Sequence, residues 1–122
     1  MLPPILILSL AVGADPLPWE KPESEHLQNV KQVTRDFVRA GEGYFSPDGK
    51  KIIYQAEEKE GGNPFYQIFI QDLETGKATR ISPGNGRTTC AYFHPTKNRV
   101  IYASSHLDPD TKKHQEAEYK QR

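Results

Sequence analysis

The sequence predicts an all-β protein of short antiparallel strands, and three observations support that class. Nine glycines and ten prolines in 122 residues are typical of a chain that turns often. A repeat of 48 residues runs through the chain, which is the length of one small sheet with its turns. Between the turns, apolar residues form short runs and not the stripes of an amphipathic helix. These observations therefore argue against a helical bundle.

Composition narrows the class of function. Hydrophobic residues make up 35% of the chain, against about 45–50% in ordinary globular domains, so the core is small or shared. Sixteen basic residues balance sixteen acidic ones, and a chain without net charge is a poor binder of nucleic acid. The one cysteine excludes an intrachain disulfide and a cysteine-based zinc site, and we expect neither a metal nor a cofactor.

Residues 1–14 predict an export signal. They carry no charged side chain, their apolar run ends at Gly13, and Val12 and Ala14 suit the small-residue positions before a cleavage site. The run is shorter than the roughly 20 apolar residues that a membrane-spanning helix needs. An uncleaved anchor and a buried strand are the alternatives. We therefore expect an exported protein, periplasmic or extracellular, in which residues 15–26 form a proline-rich linker.

The repeat keeps its register without a gap. Shifting the chain by 48 residues aligns arginine, aromatic and proline residues on one another. The matched pairs are Arg39 with Arg87, Tyr44 with Tyr92, Phe45 with Phe93, Pro47 with Pro95, and Tyr54 with Tyr102. A period of about 40 to 50 residues is typical of one four-stranded propeller blade. The sequence thus predicts neighbouring propeller blades.

Turn motifs divide each copy into strands. In the turn at residues 46–49, proline fixes φ, aspartate bonds back to the chain and glycine accepts a positive φ. The predicted strands of the first copy are 42–45, 51–57, 65–72 and 78–82. The second copy begins at Thr88. Each copy is therefore expected to form antiparallel strands joined by short turns.

Consecutive apolar residues predict that the sheets are covered on both faces. The runs at residues 52–54 and 100–102 project onto opposite sides of a strand, whereas a sheet with one wet face shows strict alternation. Radially stacked blades supply cover for both faces. A two-sheet sandwich is the alternative, although its outward faces should be polar.

These motifs resemble the repeat of the TolB-like propellers. Blades of that family carry a Phe-Ser-Pro-Asp-Gly-Lys turn and an Ile-Tyr strand, then an Asp-Leu-x-Thr-Gly hairpin before an Arg-aliphatic-Ser/Thr strand. The matching residues here are 45–50, Ile53, Tyr54, Asp72, Leu73, Thr75, Gly76, Arg80, Ile81 and Ser82. The second copy departs from the turn with His94, Thr96 and Lys97. The resemblance implies a partial propeller over residues 27–105 and a non-catalytic role in binding a protein or polymer.

The strand count predicts an incomplete ring. Residues 27–34 are similar to the last strand of a closing blade, 42–82 make one blade, and 88–105 give two strands of another. That is about one and a half blades plus one strand, whereas a closed ring needs roughly 160 residues or more. Residues 106–122 are expected to be a polar loop or disordered tail. We therefore expect an N-terminal piece of a longer propeller.

Familiar catalytic motifs are absent from the sequence. It contains no Gly-x-Ser-x-Gly elbow, no His-Glu-x-x-His pair and no phosphate loop. Three polar clusters have plainer explanations than catalysis or metal binding. Ser104, Ser105, His106 and Asp108 fit a strand end with a polar loop, and Asp108 and Asp110 fit a turn. Glu57, Glu58 and Glu60 fit a solvated loop edge. Cys90 is expected to be a small buried side chain in an innermost strand. We expect no catalytic residue in this chain.

Arg39 and Arg87 are the candidate binding residues. Each stands just before an innermost strand, which in a propeller places them at the mouth of the central channel. Guanidinium groups at that place can bind the carboxylates of a partner peptide. The alternative is that each arginine pairs with an acidic residue of the neighbouring blade, such as Glu42.

Three functions follow as hypotheses. The first is an exported recognition module with a protein or peptide partner, without nucleic acid and without a membrane-spanning segment. The second is the substrate-filtering propeller of a serine peptidase that resembles the prolyl oligopeptidase or tricorn groups, with its catalytic domain beyond Arg122. The third is a degraded gene fragment that has no function of its own.

Overall fold

The computed structural model describes residues 20–122. The chain divides into two units, one that ends at Lys31 and one that comprises Gln32–Arg122. In the first unit, the short helix α1 (Glu20–His26) is followed by Leu27, whose backbone N–H donates to the Glu23 carbonyl at 2.8 Å. The strands of the described residues all lie in the second unit.

The second unit begins with a four-stranded antiparallel sheet in the order β1-β2-β3-β4. Its strands are β1 (Phe37–Phe45), β2 (Lys51–Glu58), β3 (Gln67–Asp72) and β4 (Ala78–Arg80). The predicted turn joins β1 to β2: the Ser46 hydroxyl donates to Asp48 at 2.6 Å and the Lys50 amide donates to the same carboxylate at 3.1 Å. These hydrogen bonds lower the pKa of the Asp48 carboxyl. Gly49 closes the turn with a φ of 69°.

A two-stranded antiparallel sheet and a helix complete the unit. The strands are β5 (Thr88–Phe93) and β6 (Val100–Ser104), and the helix is α2 (Thr111–Gln121). The Thr111 hydroxyl donates to the Ser105 carbonyl at 2.9 Å. This bond ties the start of α2 to the end of β6.

The two sheets share the same backbone irregularity. In each, the first strand bulges, and the residue pairs around the bulge recur 48 positions later. The pairs are Gly41 with Gln55, Tyr44 with Ile53 and Phe45 with Ile52 in the four-stranded sheet, and Thr89 with Ala103, Tyr92 with Ile101 and Phe93 with Val100 in the two-stranded sheet. Inside the bulges, Glu42 and Cys90 have positive φ angles of 50° and 54°. The repeat of the sequence is therefore also a repeat of structure.

The main core lies between the two sheets. Ile53 and Ile68 of the four-stranded sheet are fully buried and form one cluster with Ala91 of β5. Val100 and Tyr102 of β6 pack against this cluster. Burial of these aliphatic groups supplies the hydrophobic free energy that holds the sheets face to face.

The outer faces of the two sheets differ. The four-stranded sheet carries a second buried cluster on its far side, Tyr54, Ala56 and Phe69, against which Phe37 packs. The far side of the two-stranded sheet holds Ile101, which is 70% exposed, and we call it the open face. The four-stranded sheet is thus buried on both faces, as predicted, whereas the two-stranded sheet is buried on one face only.

The structure confirms the all-β class as two antiparallel sheets of four and two strands. It corrects two segments of the prediction. Residues 27–34, predicted as a strand, have no regular secondary structure, because a strand without a neighbour gains no ladder of hydrogen bonds. Residues 106–122, predicted as a loop or disordered tail, contain α2, which is rich in the helix formers lysine, glutamine and glutamate.

Smaller differences concern the ends of elements. β1 begins at Phe37 and not at residue 42, since the bulge lets the strand continue through two glycines. The proline-rich linker predicted for 15–26 contains α1 at its end. The predicted export signal at 1–14 and the beginning of the linker lie outside the described residues.

Candidate functional site

A buried carboxylate organises the candidate site. Glu57 of β2 is only 5% exposed, and its two oxygens are bound by two arginines. Arg39 of β1 donates from Nε to Oε2 at 2.7 Å, and Arg122 donates from Nη1 to Oε1 at 2.6 Å. The hydrogen bond to Glu57 raises the pKa of the Arg122 guanidinium. Glu57 thus fixes two guanidinium groups that come from distant parts of the chain.

The Pro64 carbonyl is a second acceptor for the same two arginines. Arg122 donates to it from Nη2 at 2.7 Å, and Arg39 donates from Nη2 at 3.3 Å. Each guanidinium is therefore held by Glu57 and by this backbone carbonyl, and Arg122 also donates from Nε to Glu118 at 3.3 Å. Two-point contacts of this kind set the orientation of a planar guanidinium as well as its position.

Two aromatic rings support the arginines predicted from the repeat. The Arg39 guanidinium carbon lies 4.7 Å from the centre of the Tyr66 ring, and that of Arg87 lies 4.5 Å from the centre of the Phe65 ring. A ring face attracts a cation and leaves the N–H edges of a guanidinium available. The repeat-related arginines thus stand on neighbouring aromatic residues of one loop.

Arg39 and Arg87 line one cavity of about 380 Å³, which we call the arginine cavity. Its other lining residues are Gln55, Phe65, Tyr66, Thr88, Thr89 and Glu118. The floor is polar and hydrogen-bonded, since Thr89 donates to Gln55 at 2.7 Å. The sequence singled out both arginines, and the structure brings them to the same opening.

The charges around the arginine cavity do not cancel. Arg39, Arg87 and Arg122 form a network with two carboxylates, Glu57 and Glu118. Among these five side chains, one positive charge is left over. Arg87 is the least engaged of the three, because its side chain is 62% exposed and its nearest Glu118 oxygen is 4.0 Å away. The site can therefore attract an anionic group, and Arg87 has donors to offer it.

Sequence reasoning misjudged the partners of these arginines. The acidic partner of Arg39 is Glu57 on the adjacent strand, and Glu42, which was named as an example, lies in the bulge. Glu57 is also not part of a solvated loop edge: β2 continues to Glu58, so Glu57 sits inside the sheet opposite Arg39. The alternation of residues 53, 55 and 57 along a strand was the signal that could have placed it. Arg122 and Glu118 gave no such signal.

Cys90 differs from the expectation of a small buried side chain. Its side chain is exposed, because the bulge of β5 turns it out of the sheet. Its sulfur lies 3.4 Å from the hydroxyl of Thr89. Cys90 consequently marks the bulge and contributes nothing to the core.

The residues that could suggest a catalytic triad are not assembled. Ser104 and His106 are in contact, with Oγ 2.7 Å from Nδ1. The Asp108 carboxylate, however, lies 3.6 Å from Nε2 of His114, and so it faces a different imidazole from that of His106. A triad needs the acid on the far nitrogen of the same imidazole. The predicted roles of strand end and polar loop describe these residues better.

Within residues 20–122, no group of three histidine, cysteine or acidic side chains is arranged to hold a metal ion. The same part of the chain contains no helix of the length and apolar character needed to cross a membrane. No family model, no curated protein and no solved structure matches the chain.

Proposed function

We propose that the protein is a non-catalytic recognition module of the propeller type, in which the arginine cavity binds carboxylate groups of an acidic protein segment or polymer. One observation carries the proposal. Two guanidinium groups at equivalent positions of a structural repeat rest on neighbouring aromatic rings and line a single cavity. Such preorganised forks suit planar carboxylates.

The propeller type is supported by how the two sheets pack. Ile53 of the first sheet packs towards Val100 and Tyr102 of the second, while their repeat mates Ile52 and Tyr54 belong to the opposite face of the first sheet. The contact is therefore head-to-tail: one face of each unit meets the other face of the next. Head-to-tail contacts generate rings when the rotation closes. An exported location, as in the TolB-like propellers that the sequence resembles, belongs to the same proposal.

The chemistry of binding follows from Arg87. A ligand carboxylate that approaches the cavity competes with Glu118, whose contact at 4.0 Å is long, and gains a hydrogen-bonded partner on a stacked guanidinium. Charge-assisted hydrogen bonds are worth about 1.5–3 kcal/mol each. Glu57 keeps Arg39 in place for a second contact.

The test uses fluorescein-labelled hexaglutamate and measures fluorescence anisotropy at low and at physiological salt. We expect binding to the unchanged protein that weakens with salt, and an increase of about tenfold or more in Kd for Arg87→Ala. Arg87→Lys keeps the charge but loses the planar fork, so we expect an intermediate Kd. Labelled hexaglutamine is expected not to bind.

The matched control is Arg35→Ala. This substitution also removes one positive charge. Arg35 is exposed, lies outside the arginine cavity and donates to the Gln32 carbonyl at 3.2 Å. We expect it to leave the Kd unchanged. Equal losses of affinity in Arg35→Ala and Arg87→Ala would show that only net charge matters and would contradict the proposed site. Undiminished binding by Arg87→Ala would contradict it as well.

A further inference from the structure

One edge of β6 is unpaired among the described residues. β6 pairs with β5 on one side and with no described strand on the other. In the four-stranded sheet, the equivalent edge of β2 pairs with β3 over a continuous ladder from Lys51 opposite Asp72 to Ala56 opposite Gln67. The repeat therefore shows which kind of strand fits such an edge. A free edge presents backbone donors and acceptors that can pair with an extended chain.

A groove runs beside this edge, between the two sheets. It has a volume of about 530 Å³, and its apolar lining includes Ile70, Ile81, Val100 and Tyr102. We call it the outer groove. Val100 and Tyr102 face the four-stranded sheet. Residues that pair with each other project from the same face of a sheet, so a strand added to β6 would direct every second side chain into the outer groove.

The rim of the outer groove is basic. Lys51, Lys97 and Arg99 stand on it together with one aspartate, Asp48. In the four-stranded sheet, Lys51 lies opposite Asp72 in the β2–β3 pairing. Arg99 is the repeat mate of Lys51 and is exposed. An added strand would therefore match best with an acidic residue opposite Arg99.

We propose that the β6 edge binds an extended segment of a separate partner protein by antiparallel strand addition. The segment has an aromatic residue opposite Tyr102, as Phe69 is opposite Tyr54 in the first sheet. It has aliphatic residues on either side, which cover Ile101 on the open face, and an acidic residue opposite Arg99. Backbone pairing gives the affinity, and the groove and the basic rim give the specificity. This site shares no lining residue with the arginine cavity.

The probe is a labelled, capped peptide with the sequence of β3, Gln-Ile-Phe-Ile-Gln-Asp. Titration into the isotope-labelled full chain is followed by nuclear magnetic resonance. We expect chemical-shift changes across Val100–Ser104 and slower hydrogen exchange for those of its backbone amides that point away from β5. We also expect about a fivefold or greater weakening of binding when the phenylalanine of the peptide is replaced by alanine.

Exchanging the charges of Arg99 and of the peptide end tests whether the peptide binds at β6 in the proposed register. Arg99→Glu is expected to weaken binding of the peptide by about fivefold or more. A peptide that ends in lysine in place of aspartate is expected to bind this variant with an affinity within about twofold of the original pair. Because both Arg99 and the peptide end are exposed, neither change endangers the fold. Arg87→Ala is expected to have no effect, so failure here and failure of the proposed function are distinguishable.

Four outcomes would overturn the proposal. The first is an absence of shifts in β6, and the second is a charge swap that does not restore binding. The third is a change of the β6 amides with protein concentration alone, which would identify a second copy of this chain as the occupant. Shifts centred on β2 in place of β6 would indicate exchange with β3 and would count against the site in the same way.

Discussion

Glu57 does more to position side chains than to stabilise the fold. Its carboxylate is buried, but the arginines that bind it keep 47% and 33% of their side-chain surface exposed. Solvent screens ion pairs of that kind, and each contributes about 1 kcal/mol or less. The consequence lies in geometry: two guanidinium groups, one from β1 and one from the residue after α2, are held on the same carboxylate.

Tyr54 gives the fold an alkaline limit. Burial, helped by the charge of Asp36, raises the pKa of its hydroxyl from 10.0 to about 12, while the neutral group donates to Gln71 at 2.9 Å. Between pH 10 and pH 12, the Tyr54 hydroxyl loses its proton in the unfolded chain but keeps it in the folded chain. The free energy of unfolding therefore falls as pH rises. We expect a loss on the order of 2 kcal/mol between pH 10 and 12, and none from this group below pH 9.

Urea denaturation at pH 8, 10, 11 and 12 measures this effect. Tyr54→Phe is expected to be less stable at pH 8 by about 1 kcal/mol, because buried Gln71 loses its partner, but to decline less steeply above pH 10. Exposed Tyr119→Phe serves as the control and is expected to follow the unchanged protein. Parallel declines for Tyr54→Phe and the unchanged protein would rule Tyr54 out as the titrating group.

At the scale of elements, the sequence predicts the turns and strand ends that are determined by neighbouring residues. The turn at residues 46–49 lies where its proline, aspartate and glycine put it, and strands β2, β5 and β6 start or end close to their predicted residues. The length of β1 was missed because glycines 41 and 43 are poor strand formers, and the bulge that admits them depends on pairing with β2. Helix α2 was missed because few apolar residues mark a face on it.

The bulge of β5 offers a test of backbone conformation. Cys90 has a φ of 54° and an exposed side chain, so substitutions there act through the backbone and hardly through packing. We expect Cys90→Val to lower the free energy of unfolding by about 1–2 kcal/mol, because a β-branched residue resists positive φ. Cys90→Asn is expected to be neutral or to stabilise the fold by about 0.3 kcal/mol, since asparagine tolerates this conformation.

Chemical denaturation at neutral pH checks the bulge prediction. Ala103→Val is the matched control, since it places the same side chain on β6 opposite Thr89 in an ordinary ladder position. We expect that control to stay within about 0.5 kcal/mol of the unchanged protein. If Cys90→Val and Ala103→Val have the same effect, the positive φ is not a feature of the protein in solution.

At the scale of the whole molecule, repeat symmetry predicted more of the site than any single motif. Arg39 and Arg87 were found because the 48-residue repeat equates them, and the structure places both at one cavity. Glu57, Glu118 and Arg122 could not be found in this way. They come together through tertiary packing, with Glu57 and Arg122 separated by 65 positions, and no periodic pattern records such a contact.

Repeat mates also provide the sharpest test of how the two sheets stack. Ile53 and Ile101 hold equivalent positions, but Ile53 is fully buried between the sheets while Ile101 is 70% exposed on the open face. We expect Ile53→Ala to lower the free energy of unfolding by about 2–4 kcal/mol, because it removes buried methyl groups and leaves a cavity. The same change at Ile101 is expected to cost less than about 0.5 kcal/mol.

Hydrogen exchange adds the structural readout for this pair. A two-stranded sheet is marginal by itself, so Ile53→Ala should speed amide exchange in β5 and β6 as well as in β2, although the substitution lies in β2. Ile101→Ala should leave exchange in β2 unchanged. Equal destabilisation by the two substitutions would mean that Ile101 is covered in solution, and the head-to-tail stack would then continue beyond the open face.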